Sequence, residues 1–343
     1  MVEHTDTGFE TVKAIHKALQ IDEEWSAWRG RGFEWWGHNL RQRVWSTRGY
    51  DDDGITIYRI YAVSDCIHNV KKSQREVDAL LSPINALAVG SAMIYDPSQK
   101  KVQLWSAAMI HEEIASWMTD LFSSVTVLQA GEAWSRAEAV AQLLGGDVDS
   151  SGGRQEPDEM LNIAEAVFLP HGQDPSRWAG NDELVQICEM LNQSNCFSMG
   201  DDNGLTAEFP FGDETSMMRV LTDEPNPSIG SGVGMFLHLP LWGTFEDAAA
   251  IAGALNRAEA NNKVQSHLIG SWCAKTMGES SMPAFATFIP SALHQTGLLM
   301  NLMFSAAGRA MWAGTFLNPD SEPANVMSII AERFGLLAEP DTE

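Results

Sequence analysis

The densest run of groups able to recognise another molecule lies between Trp25 and Arg48. There Trp25, Trp28, Arg29, Arg31, Phe33, Trp35, Trp36, Arg41, Arg43, Trp45 and Arg48 crowd into an otherwise acidic chain. Arginine stacks on indole and forks onto carboxylates, and tryptophan supplies rigid contact area, so such a run suits recognition of a protein or an extended peptide. Alternation along a strand over 38–47 places Arg41, Arg43 and Trp45 on one face and Leu40, Gln42 and Val44 on the other. Trp35, Trp36, Arg41, Arg43 and Trp45 are therefore the candidate partner-binding residues, with an extended acidic or amphipathic segment as the expected ligand. The competing arrangement packs the tryptophans in a core and pairs the arginines within the chain, with Asp22, Glu23, Glu24 or Asp51 to Asp53.

Other motifs offer less chemistry. His111-Glu112-Glu113 begins like a zinc-protease helix, but the second histidine belongs one turn later, where Ala115 stands. Gly230 to Gly234 reads GSGVG, without the final glycine spacing of a dinucleotide loop or the Lys-Ser/Thr of a phosphate loop, and is expected to be a flexible hairpin. Asp51-Asp52-Asp53-Gly54 and Asp201-Asp202-Asn203-Gly204 lack the length and distal glutamate of a calcium loop and read as turns. Cys66, Cys188, Cys196 and Cys273 form no CxxC pair, which leaves free thiols as the expectation. No GxSxG elbow is present. The expectation is therefore no catalytic, cofactor-binding or metal-binding residues; the alternative is an enzyme of unrecognised chemistry with a dispersed active site.

The charge is as informative as the motifs. The 343-residue chain carries a formal net charge of -24, and unevenly: residues 1–150 hold 14 basic and 21 acidic side chains, residues 151–343 hold 8 and 25. Nucleic acid and anionic lipid are thereby expected to be poor partners. The 44% hydrophobic composition is that of a globular chain, and its length suits two domains. MVEHTDTGFE carries no apolar signal region, so a cytoplasmic location is expected. Gly297 to Leu317 has the length of a membrane span, but Asn301 and Arg309 near its middle predict a buried core helix and no membrane insertion.

The elements that must position these residues come in two similar sets. Thr7 and Glu10, then Ser73 and Glu76 66 residues further on, have the spacing of helix-starting capping boxes; Asn181 and, 63 residues later, Thr244 with Asp247 open helices in the second half. Between the first two starts lie strand-like segments at 33–36, 38–47 and 55–63, and after the second come 90–95 and 101–107 around Asp96-Pro97-Ser98, then a helix from 110 to 144 with a break near Gly131. Pro83 is expected to kink or split the second helix. The second half repeats the order, with strands at 197–199, 205–211, 217–221 and 235–239, the Thr244 helix, strands at 264–275 and 284–289, and a helix over 292–316. Ile84-Asn85 and Leu255-Asn256 lie equally far from their caps, which adds a local match between the halves. Residues 147–180 read as a linker with a short bridging helix, and 319–343 as a tail with one more.

Helix, about three strands, helix, two strands, helix, written twice, resembles the type III secretion chaperone-like fold shared by the YbjN-like bacterial proteins. The likeness covers most of residues 5–145 and 181–317, and its residues are the Arg43-Val44-Trp45 strand and the alternating strand after it. It implies an α+β chain of two tandem modules, 1–146 and 181–318, each with an antiparallel sheet and packed helices, related by a pseudo-twofold axis. Secretion chaperones of this fold dimerise, and an extended stretch of client wraps around the pair. The implication is a non-catalytic chaperone or adaptor that binds a protein or peptide segment, needs no cofactor, and is a monomer with an internal pseudo-dimer or a homodimer. The linker, the tail and the Trp/Arg-rich first half depart from the family pattern.

Overall fold

Two helix starts form as their side chains dictate. Ser73 Oγ accepts from the Glu76 backbone while the Glu76 carboxylate accepts from the Ser73 N–H, a complete capping box, and Thr244 caps its helix through the Asp247 N–H. The first helix instead begins one residue before the expected cap: Asp6 accepts from the Phe9 N–H, and Thr7 is already helical. A carboxylate there also reaches Arg31, which a threonine hydroxyl could not neutralise.

The structure, a computed structural model, describes residues 6–21, 23–37, 39–52, 54–150, 178, 182–191, 196–198, 204–226, 229–261 and 266–318. The first half contains α1 (Thr7–Ala18), β1 (Ser26–Arg29), β2 (Gly32–Gly37), β3 (Leu40–Ser46), β4 (Tyr50–Asp52), β5 (Ile55–His68), α2 (Gln74–Asn85), β6 (Ala92–Asp96), β7 (Lys101–Ile110), α3 (Ala115–Leu144) and β8 (Asp147–Val148). The second contains α4 (Asp182–Met190), β9 (Cys196–Ser198), β10 (Gly204–Phe211), β11 (Glu214–Asn226), β12 (Gly230–His238), α5 (Phe245–Ala260), β13 (Ser271–Met277), β14 (Ser280–Pro290) and α6 (Leu298–Leu317). The class is α+β with two antiparallel sheets.

Strand order runs β1-β2-β3-β5-β7-β6 in the first sheet, with β4 and β8 also on β5, and β9-β10-β11-β12-β14-β13 in the second. Position for position the two orders agree, with β5 matching β12, β7 matching β14 and β6 matching β13. The matched asparagines supply the register. Asn85 Nδ2 donates to the Met93 carbonyl (3.1 Å) and its Oδ1 accepts from the Met93 N–H (2.8 Å); Asn256 does the same to Trp272, at 2.9 and 2.8 Å. Both are buried, so each satisfies two backbone groups that water cannot reach.

Several local expectations yield to packing. Pro83 does not break α2, because it sits in the last turn and the helix ends two residues later. Gly131 does not break α3, which packs on β5 and β7 along its length; a mid-helix glycine costs only about 1 kcal/mol. Gly230 to Gly234 is not a hairpin but the first half of β12, where a Cβ on Gly232 would lie 2.3 Å from the Ile289 carbonyl, so the glycine admits a close strand. Strand β13 begins at Ser271, later than expected, and α6 begins at Leu298 after a short 3-10 turn. Strand β1 was not legible as a separate strand, and β8 extends the first sheet into residues read as linker. Asn181, the bridging helix, the Asp202-Asn203 turn and the tail helix lie outside the described residues.

The main core crosses both halves, joining Val12, Ile15 and Phe122 of the first to Leu237, Trp272 and Met303 of the second. Among the described residues no helix is long and apolar enough to cross a membrane. In α6 both faces are lined by core residues, and Arg309 is buried among them.

Candidate functional site

Strand β3 alternates as its sequence dictates. The registers Trp36↔Arg41, Glu34↔Arg43 and Arg43↔Val63 set Trp36, Arg41, Arg43 and Trp45 on one face of the first sheet. Trp35 belongs to the other face: it is buried, and its indole N–H donates to Gln42 Oε1 at 2.5 Å. Gln42 in turn donates to Ser64, Gln129 and the Thr126 carbonyl, so Trp35 is part of a satisfied polar core beneath α3. Trp35 is therefore corrected out of the candidate face, because β2 alternates as strictly as β3 and its two tryptophans must point to opposite sides.

The arginines have a partner that none of the expected acidic residues supplies. Arg41 Nε and Nη2 meet Asp65 Oδ2 at 2.8 and 2.7 Å, Arg43 Nη2 meets Asp65 Oδ1 at 3.4 Å, and Gln103 Nε2 donates to Oδ1 at 2.5 Å. The Asp65 side chain is 1% exposed and each arginine 31%. Burial alone would raise the Asp65 carboxyl, but the Gln103 hydrogen bond and the charges of Arg43 and Arg41 outweigh it, and the group stays below its ordinary range. Burial likewise works against the Arg41 charge and is overcome by Asp65, so Arg41 holds its proton more tightly than usual.

Beside this network stands an aromatic cluster. Trp45 stacks on Tyr61 at 4.9 Å and 15°, Trp105 meets both edge-on, and Arg43 lies 5.9 Å from the Trp45 ring centroid. The Trp105 indole donates to Gln103, closing a path from ring to carboxylate. Such a face offers planar surface and a guanidinium edge. Tyr61, Asp65, Gln103 and Trp105 escaped the sequence reading; the antiparallel pairing of 38–47 with 55–63 was readable and is present as β3 on β5, but its register, and the place of β7 beside β5, were not.

The halves meet along a seam where α2 packs on α5, α2 touches β13 and α5 touches β6. Arg257 grips Asp78 with two bonds of 2.7 and 2.9 Å, and Gly253 leaves room for it, since a Cβ there would lie 2.3 Å from Asp78. Ser82 Oγ accepts from the Ala274 N–H and Ser271 Oγ donates to the Asn85 carbonyl. Deeper in, Glu259 accepts from the Trp272 indole at 2.6 Å and from Arg309 at 2.8 and 3.1 Å, while its carbonyl takes Arg59 from the first half. Arg309 also donates to the His267 carbonyl. His267 Nδ1 accepts from the Met109 N–H at 3.1 Å, and its Nε2 faces Asn301 Oδ1 at 2.8 Å, an arrangement that only the neutral ring satisfies. Burial pushes this imidazole down to about 4.

Among the described residues no group of three or more His, Cys, Asp or Glu could hold a metal ion. His111 stands between β7 and α3, and His294 between the 3-10 turn and α6, the junctions expected of them. No protein family, no curated protein and no solved structure matches this chain.

Proposed function

We propose that the protein is a non-catalytic binding protein of chaperone or adaptor type, a tandem duplication that builds within one chain what a chaperone dimer builds from two. The observation that carries the reading is the reciprocal seam. Each middle helix packs on the other and reaches the outermost strand of the opposite sheet, and each half clamps its own outer strand with the same asparagine. Reciprocity of this kind is the mark of a twofold interface. The arrangement also leaves Trp36, Arg41, Arg43 and Trp45 half-buried on the outer face of the first sheet, where rigid aromatic area suits an extended segment of another protein.

Because Asp65 already engages the arginines, affinity at this face rests on the indoles more than on charge. A peptide array probed with the purified protein tests the reading: peptides bound by the native chain should lose about tenfold or more in affinity with Trp36→Ala, at unchanged thermal unfolding. Binding that ignores this substitution would remove the face from consideration, and a catalytic turnover traced to the pure protein would overturn the non-catalytic reading.

A further inference from the structure

The matched asparagines allow the two sheets to be compared residue by residue. Met93 corresponds to Trp272, and the strand pairings then match Asp65 with His238, Arg43 with Arg219 and, on the outermost strand, Asp96 with Lys275. The same pairings match Trp45, Tyr61 and Trp105 with Leu221, Gly234 and Ala286. Arg219 and Lys275 are exposed, and no carboxylate among the described residues lies within ion-pairing distance of either. A buried carboxylate that neutralises arginines and a cluster of three rings thus occur together in the first sheet, and the framework that the two sheets share requires neither. Two departures at one place mark that face for a task of its own.

Its hydrogen-bonding groups are unequally supplied. Asp65 Oδ2 is held by Arg41 Nε and Nη2, Asp65 Oδ1 by Gln103 Nε2 and Arg43 Nη2, and Gln103 Oε1 by the Trp105 indole, so the carboxylate and amide acceptors of the network are taken. Donors remain, because Nη1 of Arg41 and of Arg43 bonds to nothing among the described residues, on side chains 31% exposed. The backbone offers no acceptor row either: β3, β5 and β7 are interior strands, each paired on both sides. Glu34 shares the face, opposite Arg43 on β2, and lies across β3 from Tyr61 and Trp105. Its charge and that of Asp65 balance the two guanidinium groups, so an anion gains little here.

We propose that this face binds a proline-rich segment of another protein in the polyproline II conformation, an inference that rests on the binding-face reading above and names its ligand class. A polyproline II helix needs no strand edge, and its prolines bring carbonyls without N–H groups, which suits a face with donors to spare and its network acceptors used. Trp45 and Trp105, half-buried and crossing at 81° with centroids 6.2 Å apart, present ring planes for the pyrrolidines, and Tyr61 supports both from beneath. The carbonyls accept from Nη1 of Arg43, beside the Trp45 ring, and of Arg41. Arg41 lies four strand residues from Trp45, about 13 Å, which about four residues of such a helix span.

The experiment probes the purified full-length chain with an array of nonapeptides whose proline, aspartate and lysine contents vary independently. Bound peptides should be enriched in proline and should hold their affinity as salt is raised, because the face carries no net charge to screen. Replacing the prolines of a bound peptide with alanine should cost about tenfold or more in affinity, whereas N-methylation of its remaining amides should cost nothing. The ring signals of Trp45 and Trp105 should shift saturably by NMR with the same peptide, a readout on the native chain that needs no variant. Selection for aspartate with release by salt, affinity lost on N-methylation, or binding that moves neither ring would overturn the ligand class while leaving a peptide-binding protein. No bound peptide at all, or binding indifferent to Trp36→Ala, would overturn the reading beneath it and this inference with it.

Discussion

Asp65 and His238 occupy corresponding places in two sheets of the same strand order, and they leave the neighbouring arginine in opposite states. Around Asp65 the charges close on themselves: two half-exposed guanidinium groups and a glutamine amide meet one buried carboxylate. Around His238 they stay open, with a neutral buried ring between exposed cations. The difference shows that the backbone framework does not dictate the electrostatics of its face. A closed network contributes to holding the fold, and its removal is expected to be felt in stability; the removal of exposed, unpaired cations is not.

The largest expected effect would break this comparison if it failed. Arg41→Ala with Arg43→Ala strands a carboxylate that is 1% exposed, and losing the partners of a buried charge costs on the order of 3 kcal/mol or more. Arg219→Ala with Lys275→Ala removes exposed, unpaired groups and should stay within about 0.5 kcal/mol of the native protein. Urea unfolding of both double variants measures the contrast, and equal losses would erase the distinction between closed and open.

Titration sharpens it next. His267 and His238 both fall from the ordinary 6.5 to about 4 on folding. Between those values the unfolded chain binds more protons than the folded one, so stability is complete above about pH 6.5 and declines as pH drops towards 4. Each ring contributes on the order of 3 kcal/mol at most to that decline. His267→Gln should flatten the slope of unfolding free energy against pH between about 6.5 and 4, leaving the part due to His238 and the opposing contributions of Asp78 and Glu132, whose carboxyls burial raises. Asp65 acts at lower pH, because its depressed carboxyl keeps its contribution until pH falls below the ordinary carboxylate range.

A smaller effect examines the correspondence itself. Asn85→Ala and Asn256→Ala each strand the N–H and carbonyl of one buried strand residue, Met93 or Trp272, and each should cost about 2 kcal/mol. Thermal unfolding should rank the two variants together. A neutral result for one of them would mean that the clamp works in only one half, and the residue-by-residue matching of the sheets would lose its anchor.

Much of the scaffold was already written locally. The Ser73–Glu76 box, the Thr244 cap, the turn at Asp96-Pro97-Ser98 and the shared face of Arg41, Arg43 and Trp45 follow from interactions spanning two to four residues, which a sequence displays directly. Their physics is that of one turn or one strand, and no distant residue is needed to read it. The charge asymmetry between the halves was equally plain. What tertiary structure decided was partnership. Asp65 rather than the Asp51 cluster meets the arginines, Trp35 turns into the core while Trp36 does not, and Arg309 finds Glu259 from 50 residues away. A strand's alternation says which residues share a face but not which strand lies beside it; that is fixed by the register of every pairing in the sheet, and register is settled only when the whole core closes.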